Sequence, residues 1–365
     1  MKLLHFSDLH LDAQFGSASA GSARQRREDL RTTLGRIVDL ALDEHVDAVL
    51  SGGDLYEHER ITPDTAAFLR SAFARLAPIR AFLAPGNHDW FGPTSAYRQI
   101  DWSSNVHVFQ EDRLRPVELA PAITLWGAAH RAPANTDDFL GGFRVDRPGI
   151  NLALFHGAER GGLPFQEQGK APHAPFDAPE IERAGLDHAF VGHFHSPRDA
   201  VRHTYPGNPN PLTFGETGQR GAVIATIGPD GLVDRRRVTV AVSEVHDLAV
   251  DVSGAADRQT IRDAVALGLV GLEGTVRLTL TGEIEPGVEL ARADIEPLGD
   301  GLQRFVVRLD RVRIGYDLAT IAHEPSVRGQ FVTNVAAQGL DPDFERRVIA
   351  AGLRALDGRT DLEID

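Results

Sequence analysis

Three apolar runs in the first ninety residues, "KLLHFSD", "VDAVLSGGD" and "IRAFLAPGNHD", are each short enough for a strand, and each ends in polar residues. Helix patterns lie between them. Leu30, Leu34, Ile37 and Ala41 recur at spacings of four, three and four. A second helix opens at "TPDT", where Thr62 suits an N-cap and Pro63 the first helical position. Strand, helix, strand, helix, strand predicts parallel βαβ units and an α/β fold. The later runs "ITLWGAAH", "INLALFHG", "HAFVGHFH", "GAVIATIG" and "RRVTVAV" are strand-like, with Gly/Pro-rich turns between them. They read as a second sheet packed on the first.

The pattern changes near residue 244. Beyond it come "DLAVDVSG", a helix over "RQTIRDAVALGL", and the strands "TVRLTLTG" and "RFVVRLDRVRI". Two helix patterns follow, one carrying Val327, Phe331 and Val335, the other Phe344, Val348, Ile349, Leu353 and Leu356, with Asp341 and Pro342 as its start. The stripes at Phe331 and Val335, and at Phe344, Val348 and Leu353, are more apolar than two solvated helices need. They either bind a partner or pack within the module. The expected division is 1–243, 244–325 and 326–365.

The chain of 365 residues has no cysteine, which excludes disulfides, thiolate metal sites and cysteine nucleophiles. It begins directly on a strand-like run, and no apolar run approaches the ~20 residues of a membrane span. We therefore expect a cytoplasmic protein with no membrane association. A net charge of −14 argues against a broadly basic nucleic-acid surface. A local Arg patch or bound divalent cations would reverse the sign where it matters. Arg24, Arg26, Arg27 and Arg31 in "RQRREDLR" either contact a phosphate backbone or form a solvated helix start balanced by Glu28 and Asp29.

Five clusters carry the chemistry: "SDLH" with Asp8 and His10, "GGDLY" with Asp54, "PGNHD" with Asn87 and His88, "FHG" with His156, and "GHFH" with His193 and His195. Each lies at the C-terminal end of an apolar run, the edge where open α/β sheets bind ligands. Asp8/His10 and His193/His195 are spaced i, i+2, so each pair leaves one face of an extended segment. Two Asp, one Asn and four His, with His88 in reserve, exceed what one ion takes; two ions sharing a carboxylate would use them. Such mixed donors suit Mn²⁺, Fe or Zn²⁺ better than Mg²⁺. A pair of ions is the usual clamp for displacement at phosphorus. Singly, each cluster is ordinary turn or surface chemistry; together and in this order they are not.

In this order the clusters resemble the calcineurin-like metallophosphoesterase superfamily. The stretch "YPGNPNPLTFGE", Tyr205 to Glu216, is similar to a segment of SbcD-type and YhaO-like DNA-repair exonucleases. The resemblance covers residues 1 to about 240. It implies a four-layer α/β/β/α sandwich, followed by a smaller α+β capping domain (244–325) and terminal helices (326–365), whose apolar stripes leave partner binding and internal packing both open. It also implies one ion on Asp8, His10, Asp54 and His195 and a second on Asp54, Asn87, His156 and His193. His88 is then no ligand but a transition-state stabiliser or general acid, with Asp89 either orienting its ring or serving the turn. The implied activity is that of a Mn²⁺-preferring nuclease, with Fe or Zn as alternatives. It would act on DNA as a homodimer with an SMC-like ATPase of the SbcC/YhaN type. The rivals are a phosphodiesterase for a small molecule such as a cyclic nucleotide, and a non-catalytic scaffold for an ATPase. One departure stands out: where DNA-repair members often carry a His after "GDLF/Y", this chain has Glu57, with His58 one later.

Overall fold

The computed structural model describes residues 1–16, 18–133, 139–163 and 172–358, and the chain divides into two compact units, Met1–Ser243 and Glu244–Asp365. In the first unit, β1 (Lys2–Phe6), β2 (Ala48–Ser51), β3 (Arg80–Leu83) and β4 (Val106–Val108) run parallel. α1 (Ala20–Asp43) and α2 (Pro63–Ala74) form the crossovers. Thr62 caps α2 by accepting from Thr65 N, and the α1 stripe Leu30, Leu34, Ile37 and Ala41 is buried, as its spacing predicts.

A second sheet takes β5 (Arg115–Ala120), β6 (Ile123–Gly127), β7 (Ile150–His156), β8 (His188–Gly192), β9 (Arg198–Asp199) and β10 (His203–Tyr205), in the order β5-β6-β7-β8-β10-β9. Alternation along β7 shows what each face meets. Leu152 and Leu154 join the core shared with the first sheet, α1 and α2. Ala153 and Phe155 instead pack with Ile181 and Ala184 of the helix Ala178–Arg183 and its C-cap. The result is the four-layer α/β/β/α sandwich.

Two strand assignments need correction. "GAVIATIG" and "RRVTVAV" form β11 (Gly221–Ile227) and β12 (Val233–Thr239), which belong to the first sheet, antiparallel beside β1. Residues Leu3 to Phe6 are wholly buried. Left at an edge, β1 would bury a row of unpaired N–H and C=O groups. The "RQRREDLR" segment lies inside α1: Arg26 donates to the Pro211 and Leu212 carbonyls, and Arg31 pairs with Asp64 at 2.6 Å.

The second unit holds a parallel three-stranded sheet of β13 (Val245–Asp251), β14 (Thr275–Ile284) and β15 (Arg304–Ile314). The helix Arg258–Leu269 packs Ile261 and Val265 on this sheet against Leu278 and Leu280. The helices Leu318–Ala322, Val327–Ala336 and Pro342–Leu356 follow, the last capped by Asp341. Ile321, Val332, Ile349 and Leu353 form their core, with Phe331 and Val335 packed on it. Most of the apolar stripe is therefore internal packing. Val327 and Phe344 stay outside, 72% and 48% exposed.

Candidate metal centre

The strand-end loops that carry the polar clusters turn sharply. Asp8, His10, Asp54 and His193 have φ of +57°, +52°, +52° and +113°, a region that costs non-glycine residues about 1–3 kcal/mol each. Two backbone bonds lock the first two loops together: Asp8 N donates to Gly53 O, and His10 N to Asp54 O, both at 2.9 Å. Glycine is required at the closest approaches. A Cβ on Gly53 would sit 2.7 Å from His156 Nδ1, and one on Gly86 would sit 2.3 Å from Asp54 Oδ1.

Asp89 explains how the second and third loops stay in register. It is fully buried and accepts from Asp54 N, Leu55 N, Gly86 N and the Tyr97 hydroxyl. It does not orient His88; four donors within the loop frame use its oxygens. The His88 partner is Glu57, whose Oε2 lies 3.0 Å from His88 Nδ1, while Oε1 lies 2.8 Å from His10 Nδ1.

The predicted donors converge. Asp54 Oδ1 accepts from His88 N at 2.8 Å, so Oδ2 is left to face His156 Nε2 at 3.3 Å and His10 Nε2 at 3.7 Å. On one side, His10 Nε2 and His195 Nε2 are 3.2 Å apart. On the other, His156 Nε2 lies 3.0 Å from Asn87 Oδ1 and 3.2 Å from His193 Nδ1. Donors about 2.1 Å from a common ion, at tetrahedral to octahedral angles, stand about 3.0–3.4 Å apart, and most of these separations fall in that range. Donor atoms of Asp8, His10 and His195 lie within 4.8 Å of one another, as do those of Asp8, Asp54 and His156.

The far ring nitrogens fit the same purpose. His10 Nδ1 is backed by Glu57, His195 Nδ1 by Glu216 Oε1 at 2.7 Å, and His156 Nδ1 by the Gly52 carbonyl at 2.8 Å. An acceptor behind one nitrogen draws the ring proton there and leaves the other as a lone pair for a cation. Residues 1–197 match the calcineurin-like phosphoesterase family. The chain belongs to that family.

Among curated relatives, this phosphoesterase is 27% identical over 307 residues to the uncharacterized metallophosphoesterase YhaO of Bacillus subtilis, covering 77% of this chain and 72% of YhaO. It is 28% identical over 305 residues to the DNA double-strand break repair protein Mre11 of Methanopyrus kandleri, covering 74% of this chain and 63% of that protein. The Mre11 of Haloferax volcanii is 26% identical over 328 residues, covering 82% of this chain and 69% of its own.

Charge in the phosphoesterase site follows from these contacts. Burial opposes ionisation of Asp54, but His156, His10 and His88 outweigh it and hold the carboxyl well below its usual range. Burial likewise works to raise Glu57 and Glu216, yet bonds to His10 and His88 bring the first to about 2, and His195 the second to about 2. Glu57, aided by Asp54, lifts His88 to about 9 against its partial burial.

Sequence reasoning missed several participants. Glu216, which the sequence offers only as the end of a family-like stretch, anchors His195 while its Oε2 accepts from Asn208 Nδ2 and Leu212 N. Tyr205 in that stretch donates to the Gly157 carbonyl at 2.7 Å, steadying the loop after His156. His130 donates to the His156 carbonyl at 2.9 Å, and burial pushes its imidazole down to about 4, keeping it neutral. His173 stands edge-on to His193, ring centres 5.4 Å apart. None of these lies in a cluster of metal-ligand types, so no spacing marks them.

Proposed function

We propose that the chain is a two-metal phosphodiesterase acting on DNA, the nuclease subunit of a DNA-repair or DNA-processing assembly with an SMC-like ATPase. The observation that carries it is the placement of Asp54, one oxygen tied to His88 N and the other facing histidines of both donor groups. Asp8, His10, Asp54 and His195 would hold one ion, and Asp54, Asn87, His156 and His193 the other. Mn²⁺ suits this mixture of nitrogen and oxygen donors, with Fe or Zn²⁺ as alternatives. Bound ions supply an activated water and offset the charge of the phosphate oxygens.

The protein groups do the rest. Glu57 accepts the His88 Nδ1 proton, so Nε2 is the nitrogen left to give a proton to the leaving oxygen. The His88 side chain is 46% exposed, within reach of a large substrate. Beside it, the His58 and Trp90 rings stack with centres 3.9 Å apart, and His58 N donates to His88 O. An aromatic surface of this kind favours a nucleic acid, because bases stack on it whatever their sequence. The likeness to two DNA double-strand break repair proteins supports DNA as the substrate.

The test is the full chain with Mn²⁺ and end-labelled single- and double-stranded DNA, beside bis-p-nitrophenyl phosphate and cyclic nucleotides. We expect metal-dependent release of label from DNA and cleavage of the model diester. Turnover of cyclic nucleotides alone would replace DNA as the substrate. Full metal content with no hydrolysis of any diester would make the protein a scaffold.

A further inference from the structure

A cavity of about 650 Å³ opens in the second unit between the end of β15, residues 316–318 and the last helix, Pro342–Leu356. That volume lies in the usual range for small-molecule pockets. Val312, Ile314 and Ile349 give it apolar walls, and the short side chains of Ala350 and Ala351 leave its space open. Arg354, on the next turn of the same helix, also lines it and is only 7% exposed.

Arg354 is the anomaly. Among the described residues its guanidinium has no hydrogen-bond or ion-pair partner, and its Nε is buried without an acceptor. A guanidinium cannot shed its charge, and taking it out of water uncompensated is costly. Four carboxylates, Glu283, Asp310, Asp317 and Asp343, also line the cavity, yet none pairs with Arg354. Asp310 is paired with Arg308 at 2.7 Å, and Asp317 caps its own helix through Thr320. Arg313, Arg346 and Arg347 add further cations to the lining.

We propose that this cavity binds a small organic oxyanion, a phosphate monoester or carboxylate on an apolar or aromatic body. The anionic head would sit on the Arg354 fork, whose paired N–H groups match two oxygens of either head. Its body would lie along Ile314 and Ile349. The lining lies wholly in the second unit, whereas the candidate metal donors lie in the first.

Calorimetry and thermal melting on the full chain, with and without chelator, test this using adenosine 5′-monophosphate, benzoate and uncharged adenosine. We expect one or both anions to bind with Kd of about 1 mM or tighter, whether or not metal is chelated, and adenosine not to bind. Arg354→Met should weaken binding at least about tenfold. It should also raise the melting temperature of the ligand-free protein, because a buried unpaired charge has been replaced by a side chain of similar length. Preference between the two anions identifies the head group. Failure of both to bind, or binding that Arg354→Met leaves unchanged, overturns the proposal. A lower melting temperature with no ligand response also overturns it, by making Arg354 a packing residue. Should Arg354→Met not fold, the exposed pair Arg313→Ala and Arg346→Ala serves instead; unchanged affinity there is equally fatal.

Discussion

The two units treat left-handed backbone differently. Between residues 244 and 358 every described residue with positive φ is a glycine, whereas the first unit has nine described non-glycine residues in that region, among them Asp8, His10, Asp54 and His193. Buried polar groups are dense at the same place: Asp8, His10, Asp54, Asp89, His156 and His193 are all at most 7% exposed. In the second unit the buried polar side chains are only Thr275 and Arg354 among the described residues. Relaxed backbone over an apolar core is what stability alone selects. Strain and buried charge at the mouths of five strands mark where the first unit trades stability for a positioned set of donors.

That contrast is open to attack, beginning where the effect is largest. His88→Ala should lower the diester hydrolysis rate by roughly 10²–10⁴-fold with metal content unchanged, read by elemental analysis of the assayed sample. Loss of an ion along with the rate would make His88 part of the donor set. Acid should separate the units next. Burial pushes His188 down to about 3 and His203 to about 4, while no histidine of the second unit is buried among the described residues. The unfolded imidazoles take up protons below about pH 6.5 and the folded ones only near 3 to 4. The first unit therefore loses stability as pH falls through that window, by up to roughly 4 kcal/mol for His188. His188→Gln should flatten the pH dependence of its denaturant midpoint; an unchanged slope would remove His188 as the cause.

Smaller effects sharpen the comparison. Glu216→Gln leaves the His195 proton without its carboxylate and should cost roughly 10–100-fold in metal affinity, recovered at high Mn²⁺. A rate loss that saturating metal does not repair would assign Glu216 to substrate instead. At the other end, Phe344→Ala on the exposed face of the second unit should change stability by no more than about 0.5 kcal/mol and leave hydrolysis of the model diester untouched. A drop of several times that size would show Phe344 covered in the assembled protein.

Much of the first unit was legible because two periodicities speak directly. Apolar runs ending in Asp, Asn or His gave away both the strands and the candidate donors, and the seven candidates lie together with His88 beside them. The i, i+4 stripe of α1 and the Thr62–Pro63 start were equally plain. What stayed hidden depends on partners remote in sequence. Nothing near "GAVIATIG" says that it will cover the open side of β1. Nothing near Glu216 says that it will stand behind His195, because a carboxylate in a loop looks the same with or without a histidine to hold. Asp89 stayed undecided for a related reason: adjacency allows His88, but its oxygens turn inward to backbone N–H groups from two loops. The tail stayed open because apolar residues enough for a partner are also enough for three helices to cover most of one another, with Val327 and Phe344 left outside.

Asp89 has a further consequence. It touches neither donor group with its own oxygens, yet it sets the spacing between the loop of Asp54 and the loop of Asn87 through bonds to both backbones. Such an arrangement separates what must stay constant from what is free to change. The side chains of His58 and Trp90, stacked on each other, and of Thr94, 3.2 Å from His58 Nε2, make no bond to Asp89, so a lineage could rebuild the rim for a new substrate, residue by residue, without disturbing the reactive geometry beneath it.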